Sequence, residues 1–207
     1  MSLGIHGSHR TGKSTLATEY SLETGAPLLL VNSGDVFSRL SLDPSKHLSA
    51  DERLSVQEAI LDNAEDLYAG EKDYFIADRT PLDMLAYALL DLSAADNISE
   101  LQQKRFERYQ KRCIDVTNRY FSLLFLIQPG IPMRDAPGKG KFCAVNQSCL
   151  NEIMKGLLIN GDLAPASRIL NSEVLGVKDR LDSLLTAEGE TFLEQINGIN
   201  QQAIGLH

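Results

Sequence analysis

Residues Gly7 to Thr15 read Gly-Ser-His-Arg-Thr-Gly-Lys-Ser-Thr, directly after a short apolar run. This spacing builds an anion cradle between a strand and a helix. Gly7 and Gly12 permit backbone angles that turn successive N–H groups inward, and the N-terminus of the following helix adds partial positive charge. Lys13 is placed to reach the β- and γ-phosphates of a bound nucleoside triphosphate, and the Ser14 hydroxyl to ligate Mg²⁺. Thr15 is a helix residue that also touches the α-phosphate. His9, Arg10 and Thr11 complete the loop, and the first two face either phosphate, substrate or solvent. A Gly-rich turn that merely opens a helix does not require Lys-Ser after its second Gly. ATP with Mg²⁺ is the expected occupant.

A second constellation follows the third apolar run, where the chain reads Ile76-Ala77-Asp78-Arg79-Thr80-Pro81-Leu82-Asp83-Met84-Leu85-Ala86-Tyr87. In an open α/β sheet, ligands sit outside the carboxyl ends of the strands, so Asp78 and Arg79 are expected beside the phosphate loop. An acid there holds Mg²⁺ or accepts a substrate proton, and a neighbouring Arg clamps phosphate bidentately. An ion pair that caps a helix is the plainer alternative. Asp83 and Tyr87 are four apart and share a helix face, lining an acceptor pocket or a solvated surface. Leu82, Leu85, Ala86 and Leu89 recur at core spacing.

Elsewhere, Asp35 follows the second strand, as a substrate-binding or proton-accepting acid or as a helix N-cap. Arg39 lies one turn on, within reach of an acceptor phosphate. Arg53 and Gln57 are four apart on the third helix, and a Gln amide can both donate to and accept from a base edge. Residues 129–142 form an expected lid, because 129–141 contain three Pro and three Gly. Its Arg134, Lys139 and Lys141 are cations able to close over a transferred phosphoryl group, with Arg134 the first choice. Arg180 reads as a surface residue, with stacking near an adenine ring as the alternative.

The elements that must position these groups alternate between short apolar runs and longer amphipathic stretches, which points to an α/β fold with a parallel sheet. Strands are expected at Leu3–His6, Pro27–Val31, Tyr74–Ala77, Leu123–Ile127 and Arg168–Leu170. Helices are expected from Ser14 to about Thr24, from about Asp35 to Leu40, and from Ser49 to about Ala69, the last opened by a Ser-x-x-Glu capping box. Others start at Pro81, span 98–119 with Leu101, Phe106 and Tyr109 on the apolar side, run from about Val145 to Ile159, and begin again at Val177. No linker or repeat divides the chain, so 1–207 reads as a single domain.

Composition bounds the partners. Twenty basic against 28 acidic residues give a net charge of −8, which suits a small phosphorylated ligand and argues against holding a long polyanion such as nucleic acid. No stretch approaches the ~20 apolar residues of a membrane span. Cys113, Cys143 and Cys149 are odd in number and lack a C-x-x-C pair, consistent with free thiols. The chain enters its first strand at once, which reads as a cytoplasmic protein without a leader.

Asp78-Arg79 followed by Ala86-Tyr87, taken with the phosphate loop, resembles the thymidylate kinase pattern. Pro129-Gly130-Ile131-Pro132 is similar to a segment of ribosylnicotinamide-kinase-type and phage-type nucleotide kinases. The chain departs from the pattern at Thr80, where that family has an aromatic residue, and at Asp83, where it has Ser. The lid lacks a paired-Arg motif, and Asp135 has the wrong sign for a phosphate clamp. The resemblance implies a P-loop NTPase fold, a three-layer α/β sandwich with a five-stranded parallel sheet flanked by helices. It implies transfer of the ATP γ-phosphoryl group to a nucleoside or nucleoside monophosphate, in a protein often dimeric. Two other readings stay open: an ATPase or NTP-binding switch without an acceptor, and a kinase acting on a modified base in DNA.

Overall fold

The apolar runs become the strands β1 (Leu3–His6), β2 (Leu28–Leu29), β3 (Ile76–Ala77), β4 (Leu123–Ile127) and β5 (Ala166–Leu170). They form one parallel sheet in the order β2-β3-β1-β4-β5 in this computed structural model. The structure describes residues 2–43, 46, 48–95, 97–131, 143–159 and 161–204, with side chains described as far as residue 197. Every residue of β1 and β4 is buried, as strands covered on both faces require. The edge strand β2 is only half-buried and shorter than the run Pro27–Val31 suggests. Having a single neighbour, it pairs from the Pro27 carbonyl to the Leu29 carbonyl, and Leu30 already faces solvent.

Helices cover both faces, giving the expected three-layer α/β sandwich with its five-stranded sheet. α1 (Lys13–Thr24) and α7 (Val177–Ile204) lie on one side, where Leu16, Ala17, Tyr20, Leu184 and Ala187 pack on Leu3, Ile5, Phe125 and Ile127. α3 (Ala50–Gly70), α4 (Pro81–Ser93) and α5 (Glu100–Tyr120) lie on the other, where Val56, Ile60, Leu61, Leu85 and Val116 pack with Leu124. α2 (Ser33–Arg39) leads into α3, and α6 (Ala144–Leu158) packs on α4 through Leu150 and Met154 beside Ala86 and Leu126. Alternation along β1 sends Leu3 and Ile5 to the α1 side, and therefore Gly4 and His6 to the α4 side.

Ser49, Thr80 and Ser99 each cap a helix with a reciprocal box, to Glu52, Asp83 and Gln102. α4 buries every residue from Pro81 to Ala86, so it is a core helix wedged between α3, α5 and α6. On α5, Phe106 and Tyr109 face this core, but Leu101 is 73 % exposed, against expectation. The first turn of α5 meets α3 through polar groups instead, Gln102 donating to Asp51 and Arg105 to Glu58. Arg112 and Arg119 continue this ladder to Glu65. Such half-exposed pairs are worth only about 0.2–1 kcal/mol each, so they set helix register more than stability.

Candidate active site

The loop between β1 and α1 closes over the carboxyl end of the sheet. Gly7 has φ 150°, and a Cβ there would stand 2.5 Å from the Ile127 carbonyl oxygen, so only glycine fits against β4. Gly12 is the left-handed N-cap of α1, with φ 90°. Between them Arg10 is held at φ 62°, a costly conformation for a residue with a Cβ and a sign that the loop shape is imposed by its surroundings.

Three outside residues impose it. Asp83, at the first turn of α4, accepts a hydrogen bond from the Gly7 amide at 2.9 Å through Oδ1, while its Oδ2 accepts from the Thr80 amide at 2.8 Å. The side chain expected to face an acceptor is thus fully buried beneath the loop with both oxygens engaged. Arg180 of α7 is also buried, not a surface residue: its Nη1 donates to the Thr11 carbonyl at 2.6 Å and its Nε to the Val174 carbonyl at 2.7 Å. Gln147 of α6 donates to the His9 carbonyl at 3.2 Å, and the His9 ring Nδ1 lies 3.2 Å from the Tyr87 hydroxyl.

Lys13 folds back over the loop, its ammonium donating to the carbonyls of Gly7 at 2.6 Å and Ser8 at 2.8 Å. Burial pushes its pKa down, the Asp83 and Asp78 carboxylates oppose that, and Arg79 adds to the lowering. Thr11 closes the loop internally by donating to the Ser8 carbonyl. Ser14 is exposed at the start of α1 and donates to Asp78 Oδ2 at 2.9 Å, because β3 lies next to β1. The other oxygen, Asp78 Oδ1, is buried without a hydrogen-bond partner. Tyr68 donates to the Arg79 carbonyl at 2.8 Å, which fixes the backbone that presents the Arg79 guanidinium.

A hydroxyl and one carboxylate with a spare oxygen suit Mg²⁺, which keeps several waters and takes one or two protein ligands beside substrate phosphates. Among the described residues no group of three or more His, Cys, Asp or Glu is placed to hold a metal unaided. The remaining sequence candidates are dispersed. Arg53 is engaged by Asp91 at 2.7 Å and by the Leu48 carbonyl, with Gln57 half-buried one turn along α3. Asp35 lines an open depression with Leu30, Asn32, Asn63, Asp66 and Leu67, none of them from the phosphate loop. Its helix is capped by Asn32, and Arg39 reaches Asn63 at 3.3 Å. Arg134, Lys139 and Lys141 lie outside the described residues.

No protein-family model and no curated protein matches the chain. Solved structures do match. A deoxyadenosine kinase from M. mycoides, with dCMP and dCDP bound, superposes with a TM-score of 0.63 at 18 % identity, over 92 % of this chain and 99 % of that one. Thymidylate kinase from Candida albicans gives 0.67 at 16 % identity over 89 % of each chain. The fold is that of the P-loop nucleotide kinases. NadR in complex with NAD and AMP-PNP agrees, at a TM-score of 0.63 and 15 % identity, over 91 % of this chain and 49 % of that one. At these identities the likeness shows the fold, and the chemistry rests on the residues of this chain.

Within this kinase fold, Asp83, Arg180 and Gln147 are the residues that sequence reasoning missed as supports of the loop. Thr80-x-x-Asp83 is itself a capping-box pattern, which signals a buried helix start for Asp83. Arg180 and Gln147 carry no comparable local signal, since their partners are 169 and 138 residues away.

Proposed function

We propose that the protein is a kinase of one domain that transfers the γ-phosphoryl group of MgATP to a small nucleoside-type acceptor, a nucleoside or a nucleoside monophosphate. The observation that carries this is the Ser14–Asp78 contact beside Lys13, with a second Asp78 oxygen left for a ligand. A bound Mg²⁺ would neutralise charge on the β- and γ-phosphate oxygens. Gly7, its amide held by Asp83, shapes the loop, and the amides that follow it as far as Thr15, including those of His9, Arg10 and Thr11, cradle the polyphosphate. Lys13 exchanges the Gly7 and Ser8 carbonyls for phosphate oxygens, so its charge is held ready without an ion pair to break. Ser14 and Asp78 supply the metal-facing oxygens. Arg79, half-buried at the end of β3, stabilises charge on the transferred or acceptor phosphate.

In such transfers the protein contributes positioning and charge. A monophosphate acceptor needs no strong base, whereas a hydroxyl acceptor needs an acid such as Asp35 to approach it. On the acceptor side we place Arg53 and Gln57 of α3, with Asp35 and Arg39 at the neighbouring depression. We place the protein's partners among small molecules in the cytoplasm, without nucleic acid, and a homodimer is the assembly we propose. Among the described residues no helix is long and apolar enough to cross a membrane.

The test is ATP turnover with and without a panel of nucleosides and nucleoside monophosphates. Acceptor-dependent ADP release supports the proposal. Turnover that ignores every acceptor would identify an ATPase instead.

A further inference from the structure

His9 stands between two helices that the proposed chemistry does not otherwise use. Its ring faces Tyr87 of α4, with Nδ1 3.2 Å from the hydroxyl and the two rings 28° from parallel at 6.4 Å. Its carbonyl is held by Gln147 of α6, itself nine-tenths buried. One turn below Tyr87, Asp83 grips Gly7, and one turn above it, Asp91 pairs with Arg53 of α3. Positions 83, 87 and 91 fall on one face of α4, so a single helix face touches the phosphate loop twice and the acceptor-side helix once.

We infer that Tyr87 is a positioning residue for the phosphate loop, acting through His9, and that His9 and Tyr87 set donor affinity as one unit. The reading rests on the proposed donor site. The Tyr87 hydroxyl pKa is pushed up to about 12, first by burial and then by Asp83, so the hydroxyl keeps its proton as a hydrogen-bonding group throughout the working range. The restraint matters because the loop carries Arg10 at positive φ next to His9, a conformation the backbone leaves readily once its neighbours let go. A loop held at Gly7 and His9 presents its amides in one arrangement. Without the Tyr87 contact the loop keeps its holds at Gly7, the His9 carbonyl and Thr11 but loses the one on the His9 side chain, and what the nucleotide must then order appears as lost affinity.

The experiment is calorimetric titration of the full chain with Mg²⁺ and AMP-PNP, which needs neither an acceptor nor turnover, supplemented by thermal unfolding and by KM for ATP. Tyr87→Phe keeps the ring and removes the hydroxyl. It is expected to weaken AMP-PNP by about 2- to 10-fold, the span of one net hydrogen bond, and to raise KM for ATP by the same factor with little change in kcat. His9→Ala should weaken binding to a similar degree, and Tyr87→Phe added to it should change nothing further. His9→Asn, which returns a polar group near the position of Nδ1, should recover part of the loss. Unchanged affinity in Tyr87→Phe, or losses that simply add in the double variant, would overturn the inference. If Tyr87→Phe fails to fold, His9→Ala at its half-exposed loop position decides alone, and unchanged affinity there overturns the inference. Failure of the donor-site reading is a separate result, visible as no AMP-PNP binding by the unaltered chain.

Discussion

Asp83 Oδ1 accepts a hydrogen bond from the Gly7 amide at 2.9 Å, joining residues 76 apart in the chain, while Oδ2 of the same side chain closes the cap of α4. One buried carboxylate therefore fixes both the first glycine of the phosphate loop and the helix beneath it. Asp83→Asn leaves one of these N–H groups facing an amide N–H. The expected cost is about 1–3 kcal/mol. That corresponds to a fall in Tm of about 2–12 °C for a chain of this size. Weaker AMP-PNP binding should accompany it. An unchanged Tm would show that the two contacts do not support the loop.

Lys13→Met removes the cation and keeps an apolar stem. Phosphoryl transfer should fall about 10²- to 10³-fold, the scale for losing one charge-stabilising donor. Removing Lys13 strips hydrogen bonds from the Gly7 and Ser8 carbonyls but also removes a charge that burial disfavours, and nucleotide can reach the freed groups, so Tm should fall less than in the Arg180 variant. Rates of ADP release and a melting curve on the same preparation check both halves.

Arg180→Met strips hydrogen bonds from the Thr11 and Val174 carbonyls, tying α7 to the loop no longer. With two acceptors deprived of a buried charged partner, destabilisation of about 2–4 kcal/mol is expected, together with a raised KM for ATP. Urea unfolding and steady-state kinetics measure these, and an effect on stability alone would mean that Arg180 anchors α7 without shaping the loop.

His6, buried on the α4 side of β1 with both ring nitrogens unpartnered, has its pKa lowered from 6.5 to about 4, chiefly by burial. Between these values the unfolded chain binds the proton and the folded chain refuses it. Stability contributed by neutral His6 is thus complete above pH 6.5 and is lost as pH falls towards 4. The slope should be about 1.4 kcal/mol per pH unit within that window. Urea midpoints from pH 4.5 to 7.5 should show it, and His6→Phe should flatten that part of the profile.

The layout of the fold was legible because most strands lie in apolar runs and the starts of α3, α4 and α5 carry capping boxes. Leu123–Ile127 matches β4 to the residue, and Ser49-Ala50-Asp51-Glu52 opens α3 as read. The edge strand was overestimated because apolar content does not reveal how many neighbours a strand has. Leu101 was misjudged because helical spacing cannot tell where a helix runs past its packing partner. In the site, Gly7 to Ser14 and Asp78 announce themselves through local order and through strand ends that the sheet must bring together. Asp83, Gln147 and Arg180 act on loop backbone from distant segments, and an Arg or Gln that will meet a carbonyl looks, in sequence, like one that will meet water.

The most direct measurement is ADP formation by the full chain with MgATP, alone and with each of a set of nucleosides and nucleoside monophosphates, with the phosphorylated product identified by mass. The predicted result is release of ADP that depends on one acceptor class, is stoichiometric with phosphorylated acceptor, is lost when Mg²⁺ is removed and falls about 10²- to 10³-fold in Lys13→Met. ATP hydrolysis at the same rate with every acceptor and with none would contradict a kinase, even if the P-loop binds its nucleotide as described.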